Sequence, residues 1–181
     1  MESGVGTTHL AVAAANYVAN EWGIRTAFVE LSDRPCICHL DTDQSGEAYF
    51  SEDGVRYYPH VASDRLPMLL NGDQSYLIMD LGSGANGWQE FLRCDLRYLV
   101  ASFSPWRISR AEQFIVSHMQ PDDRAAHKHQ TYITALLTVT GNVYEKKRFQ
   151  QLYHVPVRTV PFMADPFRLG KDQLAFFQEL L

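Results

Sequence analysis

Short apolar runs alternate with longer segments of helical periodicity along the whole chain of 181 residues. The apolar runs are rich in β-branched and aromatic residues and have the length of buried strands. They predict strands at 26–31, 75–84, 96–102, 132–140 and 157–162. The segments between them predict helices at 8–22, 62–71, 86–93, 106–119, 144–153 and 170–181. A polar stretch at 120–130 is expected to be a surface loop or a helix extension.

Two local sequence signals support these predicted elements. In the first helix, Gly23 is a suitable stop after a broad apolar stripe. That stripe consists of Leu10, Val12, Ala13, Ala14, Tyr17 and Val18. The stretch 48–58 has Asp53-Gly54 at its centre, which predicts a β-hairpin with a tight turn.

The order of the elements predicts the fold class. Strands that are separated by helices form a parallel sheet, because the crossover helices lie over its faces. We therefore predict a three-layer α/β/α fold with a mainly parallel sheet, five neighbouring strands and the hairpin at one edge. The length suits a single domain, 1–181.

The composition indicates which kinds of partner and which cellular compartment to expect. The net charge is −5 and the pI about 5.8, so no overall basic field attracts nucleic acid or anionic lipid. The basic cluster at 145–149 is interpreted as a solvated face. No apolar run approaches the roughly 18 residues that span a bilayer, and the N-terminus lacks signal-peptide features. Three cysteines argue against a disulfide framework, so we expect a cytoplasmic protein without a membrane span or a nucleic-acid partner.

A glycine-rich turn, "SGVGTTH" at 3–9, precedes the first helix. Such a loop binds phosphate through backbone N–H groups and the helix N-terminus, usually with a lysine and a Ser/Thr that binds Mg²⁺. By position, Thr7 stands where the lysine belongs and Thr8 where the Mg²⁺ hydroxyl belongs. The alternative is that Gly4 and Gly6 only make a tight turn before a helix.

Several motifs, in the correct order over nearly the whole chain, resemble the MinD/ParA group of P-loop NTPases. They are the glycine loop with its helix, "GIRTAFVEL", "YLIMDLGSG", "CDLRYLVASFSPWRISRAEQFI" and "TVTGNVYEKKRFQQLYHVPVRTVPFMADPF". The resemblance implies a P-loop NTPase-like fold whose first strand, which should precede the loop, is missing from the given chain. We expect a further apolar strand of about five or six residues upstream, the usual length of buried strands.

The resemblance also implies site residues. The nucleotide-binding loop would comprise Gly4, Val5, Gly6, Thr7 and Thr8. The Mg²⁺ and Walker B-like positions would be Thr8, Glu30, Asp80 and Gly82, and the base contact Asn142. The alternatives are that Asp80 is a solvated acid at a strand end and that Asn142 is a turn residue.

The departures from the family indicate a degenerate site. The two loop lysines of the family correspond to Glu2 and Thr7, so both cations that hold the triphosphate are absent. A charge contact of this kind is worth several kcal/mol (about 2–4). We therefore expect weak ATP/Mg²⁺ binding at most, with no catalytic residue and no hydrolysis.

Two other groups of residues give weaker evidence for a functional site. Cys36, Cys38 and His39 fall short of the roughly four ligands of a zinc site, so no metal is expected. Trp106-Arg107 follows a strand at the sheet's carboxyl edge, and Trp106 is interpreted either as a packing residue or as a contact site.

These observations favour a non-hydrolysing scaffold or localisation factor that binds a protein partner. Any homodimer is expected to form independently of nucleotide. Within the group the chain resembles TadZ/CpaE-like members, which position pilus or secretion machinery. The alternative is an ATPase that takes its cation from a partner or from residues upstream.

Overall fold

Six segments of the chain are described by a computed structural model: 4–32, 36–40, 48–83, 87–118, 133–139 and 141–181. Glu2 and the predicted polar stretch at 120–130 lie outside these residues. The chain divides into two units. Unit 1 contains Gly4 and Val5 together with Trp88–Phe162, and unit 2 contains Gly6–Gly87 and Met163–Leu181. Each is described by itself.

The described residues form strands and helices in the order that the sequence predicts. The strands are β1 (Thr26–Glu30), β2 (Phe50–Glu52), β3 (Val55–Tyr58), β4 (Tyr76–Asp80), β5 (Tyr98–Val100), β6 (Ala135–Thr138) and β7 (Val157–Thr159). The helices are α1 (Thr7–Glu21), α2 (Leu66–Leu70), α3 (Trp88–Arg93), α4 (Ile108–His118), α5 (Val143–Tyr153) and α6 (Lys171–Leu180). Short 3₁₀ turns occupy Ile37–Leu40 and Ser63–Arg65.

Unit 2 is built on a four-stranded sheet of order β2-β3-β1-β4. Strand β1 pairs in parallel with β3 and β4, while β2 and β3 form an antiparallel hairpin at the sheet edge. The hairpin turn places Asp53 at φ 48° and Gly54 at φ 80°. Two consecutive positive φ angles are typical of a type I′ turn, so the predicted Asp53-Gly54 turn is confirmed.

Helix α1 packs on this sheet through its predicted apolar stripe, every member of which is buried. Small alanine side chains in the middle of α1 allow a close approach of the helix to the strands. The shared core consists of Val12, Ala15, Phe28, Ile37, Val55 and Tyr57. Helix α6 joins it at Phe177, whose ring centroid lies 5.5 Å from that of Tyr17.

One polar residue of α1, Asn16, enters the core without any signal in the periodicity. Its side chain is 2% exposed, and Nδ2 donates to the carbonyl of Val12 and to the hydroxyl of Tyr57, both at 3.0 Å. Burial raises the pKa of the Tyr57 hydroxyl, which therefore stays protonated at neutral pH. Asn16 thus ties α1 to β3.

Unit 1 is built on a parallel sheet of order β5-β6-β7. Gly141, at φ +121°, lies against Phe103, where an added Cβ would come within 2.3 Å of the Phe103 Cβ. The loops that follow β5 and β6 therefore touch.

The prediction of an α/β fold with a mainly parallel sheet and an edge hairpin is confirmed. In the described residues, however, the hydrogen-bonded neighbours form two sheets, β2-β3-β1-β4 and β5-β6-β7, and not the expected single row of five. An apolar run shows that a strand is buried on both faces, but it carries no information about which strand lies at each edge.

Candidate phosphate-loop site

The glycine loop adopts the backbone conformation for which glycine is suited. Gly4 has φ +77° and Gly6 φ +86°, and α1 begins directly afterwards at Thr7. A Cβ at either glycine would meet no atom within 4 Å, so the left-handed backbone, and not a lack of space, requires glycine here.

Thr8 and Asp80 are brought together by the fold although 72 residues separate them in the chain. The Thr8 hydroxyl, in the first turn of α1, donates to Asp80 Oδ2 at 2.5 Å. The backbone N–H of Gly82 donates to Asp80 Oδ1 at 2.9 Å. Asp80 is the last residue of β4 and is only 1% exposed. It is a buried, hydrogen-bonded carboxylate, so the alternative of a solvated acid is wrong.

Glu30 lies directly beside Asp80, because the two residues are register partners at the carboxyl ends of β1 and β4. Its side chain is fully buried, and its two carboxyl oxygens accept the backbone N–H groups of Cys36 at 2.6 Å and of Ile37 at 3.4 Å. Burial is the main cause that raises the pKa of Glu30, although the hydrogen bonds from these amides oppose it. The nearby charges of Asp80 and His60 raise and lower it respectively.

Gly82 sits where the segments after β1 and β4 make close contact. It has φ +61°, and an added Cβ would lie 2.6 Å from the Ser32 hydroxyl oxygen. The backbone N–H of Leu31 also donates to the carbonyl of Asp80, at 2.8 Å. These contacts fix the end of β4 against the end of β1 and so position both carboxylates.

The remaining loop positions supply no positive charge. Residues 3–9 contain neither lysine nor arginine, and Thr7 is a partly buried threonine at the first helical position. Val5 is partly buried and belongs to unit 1. The Nε2 atom of His9 is buried and has no hydrogen-bond partner in the described part of the chain. A buried ring nitrogen indicates packing and does not replace a lysine.

Asn142 has a local role in unit 1, where it is the N-cap of α5. Its Oδ1 atom accepts the backbone N–H of Glu145 at 2.8 Å, and its backbone is extended. This is the geometry in which an asparagine caps a helix. The four Mg²⁺ and Walker B-like positions, Thr8, Glu30, Asp80 and Gly82, all belong to unit 2.

The geometry fits Mg²⁺ better than it fits a triphosphate. The Thr8 hydroxyl and the Asp80 carboxylate are oxygen ligands of the kind that Mg²⁺ prefers, and both retain lone pairs beyond the bond that joins them. Glu30 is turned to the backbone of the 36–37 segment. A triphosphate carries several negative charges, and residues 3–9 offer only backbone N–H groups and hydroxyls to balance them.

The cysteines do not form a metal site. Cys36 and Cys38 are exposed, and Cys94 is partly buried with a thiol pKa that burial raises. Among the described residues, no three side chains of His, Cys, Asp or Glu are grouped closely enough to hold a metal ion.

No pattern in the sequence predicted the partners of Glu30. Its carboxylate binds backbone amides, which every residue but proline possesses, so no side-chain pattern marks Cys36 and Ile37. His60 was missed as well. It has φ 50° and lies just after β3, at the same sheet edge as Glu30.

Comparison with known proteins identifies the class of fold. No protein-family profile and no curated protein sequence matches this chain. Among solved structures, a ParA family ATPase from Chlorobium tepidum TLS superposes with a TM-score of 0.62 at 14% identity, covering 99% of this chain and 86% of that one. A chain of the MinC:MinD cell division protein complex from Aquifex aeolicus superposes with a TM-score of 0.59 at 14% identity. The match covers 90% of this chain and 79% of that one. The protein therefore has the fold of the ParA and MinD ATPases.

The described helices include none that is both long and apolar enough to cross a membrane.

Proposed function

We propose that this protein is a degenerate MinD/ParA-like P-loop protein that acts as a non-hydrolysing scaffold or localisation factor. The observation that carries the proposal is the Thr8–Asp80 hydrogen bond of 2.5 Å beside a loop that has threonine in place of lysine. The oxygen ligands of a P-loop site are assembled, but the cation that would act on the phosphates is absent.

The missing charge matters more for catalysis than for binding. Phosphoryl transfer depends on positioning and on stabilising the charge of the transferred group. Backbone N–H groups can hold a phosphate, but they stabilise the ground state and the transition state to a similar extent, which gives little rate acceleration. Loss of a preorganised cation costs roughly 3–4 kcal/mol of transition-state stabilisation, about a hundredfold to a thousandfold in rate.

A scaffold role requires a protein partner, which we propose for this chain in the cytoplasm. The structure of MinD with MinC is an example of this fold in a protein complex. The sequence resemblance to TadZ/CpaE-like members makes pilus or secretion machinery our specific proposal for the pathway. Any homodimer would form without nucleotide.

Phosphate release from Mg-ATP by the purified chain tests the proposal. We expect turnover indistinguishable from background and little effect of Asp80→Ala on any weak ATP affinity. Thr7→Lys restores a loop cation and should tighten ATP binding, which shows that the loop backbone is competent and lacks only the charge. Wild-type turnover near 1 per second, at the lower end of ordinary enzymes, would refute the proposal.

The intact Thr8–Asp80 pair favours one alternative, an ATPase that takes its cation from a partner or from upstream residues. That alternative predicts that wild-type protein binds a fluorescent ATP analogue only with Mg²⁺ and loses this binding in Thr8→Ala. The scaffold proposal predicts weak binding that Mg²⁺ and Thr8→Ala do not change.

A further inference from the structure

Five apolar side chains are exposed in unit 1 just after the carboxyl ends of its three parallel strands. We call this set the aromatic edge; it consists of Trp106, Val139, Val143, Tyr144 and Phe162. Trp106 follows β5, Val139, Val143 and Tyr144 follow β6, and Phe162 follows β7. Because parallel strands end at the same edge of a sheet, these residues emerge on one side of unit 1.

Two contacts link the three loops that carry the aromatic edge. Gly141, two residues before Val143, lies against Phe103 in the loop that leads to Trp106. In the first turn of α5, Lys146 Nζ donates to the hydroxyl of Thr159 at 2.8 Å, at the end of β7. Neighbouring strands lie about 4.8 Å apart, so large side chains from adjacent loops come within reach of one another.

The exposed apolar area exceeds what scattered surface residues account for. Trp106 is 81% exposed, Phe162 79% and Tyr144 71%. Aromatic side chains offer about 150–250 Å² each, so these three expose on the order of 450 Å² before the two valines are added. A patch of that size is as large as the largest on a typical monomer, and such patches are often binding sites. Trp106, which could have been a packing residue of its helix, is instead almost fully exposed.

The segments of chain that carry the aromatic edge are basic in sequence, whereas the protein is acidic overall. The segments 101–110, 139–148 and 160–162 contain five basic residues and one acidic residue. They are Arg107, Arg110, Lys146, Lys147 and Arg148, with Glu145 as the acid. Arg148 lies 3.7 Å from Glu145 in an exposed pair. The whole chain, in contrast, has a net charge of −5.

We propose that the aromatic edge docks an apolar, acidic segment of a protein partner. Aromatic and aliphatic side chains give the contact its apolar centre, and the basic rim selects carboxylates, as in interfaces with a buried aromatic core and a charged rim. This proposal supplies the partner chemistry of the scaffold role and in that respect rests on the proposed function.

Charge and composition disfavour the two other occupants. A second copy of the chain, docked face to face, would place basic residues opposite basic residues. A single nucleic-acid strand would stack on the rings, but Val139 and Val143 offer it no stacking surface.

Selection from a phage-displayed library of random dodecapeptides on the immobilised full chain tests the proposal. The counter-selection uses the triple variant Trp106→Ala, Tyr144→Ser and Phe162→Ser, whose folding is verified by circular dichroism. We expect enriched peptides that combine aromatic or aliphatic residues with Asp and Glu. In fluorescence anisotropy, Trp106→Ala should weaken the selected peptide about tenfold or more, about 1.4 kcal/mol.

Two further variants separate the contributions. Arg107→Glu with Lys147→Glu keeps the aromatic residues and should weaken binding, with a loss that high salt reduces. Met68→Ser is the matched control, because Met68 is 77% exposed but lies in unit 2; binding should not change.

Four results would overturn the proposal: no enrichment, enrichment of basic or purely polar peptides, tighter binding of oligo-dT than of any selected peptide, and self-association that Trp106→Ala abolishes. ATP turnover is measured separately on the same preparation. A chain that hydrolyses ATP yet selects acidic apolar peptides would refute the scaffold proposal and leave the docking surface in place.

Discussion

The Thr8 hydroxyl donates a hydrogen bond to the buried carboxylate of Asp80. A carboxylate that is 1% exposed needs its hydrogen bonds, because an unsatisfied buried acceptor costs about 1–3 kcal/mol. The pair is therefore a contact between α1 and β4 that stabilises the fold.

Thr8→Ala should accordingly destabilise the protein by about 1–3 kcal/mol, because Asp80 loses the bond to Oδ2. Urea unfolding followed by circular dichroism measures the change. Thr7→Ala is the matched control: it is the adjacent threonine of the same helix and should cost about 0.5 kcal/mol or less. Equal losses in the two variants would show that the Thr8–Asp80 bond contributes nothing.

Glu30 should make stability depend on pH. Its pKa in the folded protein is raised above the ordinary 4.5, with burial as the main cause, so the fold favours the protonated form. The stabilisation by this group is full below pH 4.5 and is lost as the pH rises toward the raised pKa of the folded state.

The free energy of unfolding of wild type, relative to that of Glu30→Gln, should therefore fall as the pH rises above 4.5. Urea titrations at several pH values give this difference, and the loss of the Ile37 amide bond in the variant shifts the curve without changing its slope. Glu52→Gln, at an exposed position of β2, is the control for removal of a carboxylate. A difference that rises with pH would contradict the raised pKa.

The start of helix α5 is the element whose function is most ambiguous. Asn142 is the base-contact position by resemblance, and the structure shows it capping the helix through Glu145. Both roles are compatible, because the cap uses Oδ1 and leaves Nδ2 at an exposed residue.

Asn142→Ala should cost about 1 kcal/mol of stability in unit 1, and Asn142→Ser, which can also cap, should recover most of it. Thermal unfolding by calorimetry measures both. If nucleotide affinity falls equally in the two variants while stability does not change, the residue acts as a base contact and not as a cap.

At the scale of the whole molecule, charge predicts that self-association does not depend on nucleotide. ATP-driven members of the family that this sequence resembles dimerise face to face, with a lysine of one subunit on the triphosphate of the other; the corresponding position here is Glu2. Two like unit charges about 4 Å apart repel by roughly 4 kcal/mol at an effective dielectric near 20, nearly a thousandfold in affinity.

Sedimentation velocity with and without Mg-ATP should therefore give the same species for wild type. The double variant Glu2→Lys with Thr7→Lys supplies both missing cations. It is the comparison in which ATP can promote dimerisation. A wild-type monomer that becomes a dimer only when ATP is added would overturn the prediction.

The sequence by itself determined the elements and the fold class. Apolar runs such as 26–31 predicted β1, all five residues of which are buried, because only a strand covered on both faces needs such a run. The Asp53-Gly54 pair predicted a hairpin because its backbone conformation is local. Thr8 and Asp80 were predicted as site residues by position, Thr8 from the P-loop pattern and Asp80 from the resemblance to the MinD/ParA group.

Tertiary structure alone decided what depends on contacts across the chain. The pattern of apolar residues could not divide the strands into two sheets, because strand pairing depends on which crossovers bring edge amides opposite one another. The carboxyl oxygens of Glu30 accept the backbone amides of Cys36 and Ile37, which no side-chain pattern records. Trp106 reads alike in sequence whether it is packed or exposed, and only the folded surface shows that 81% of it faces solvent.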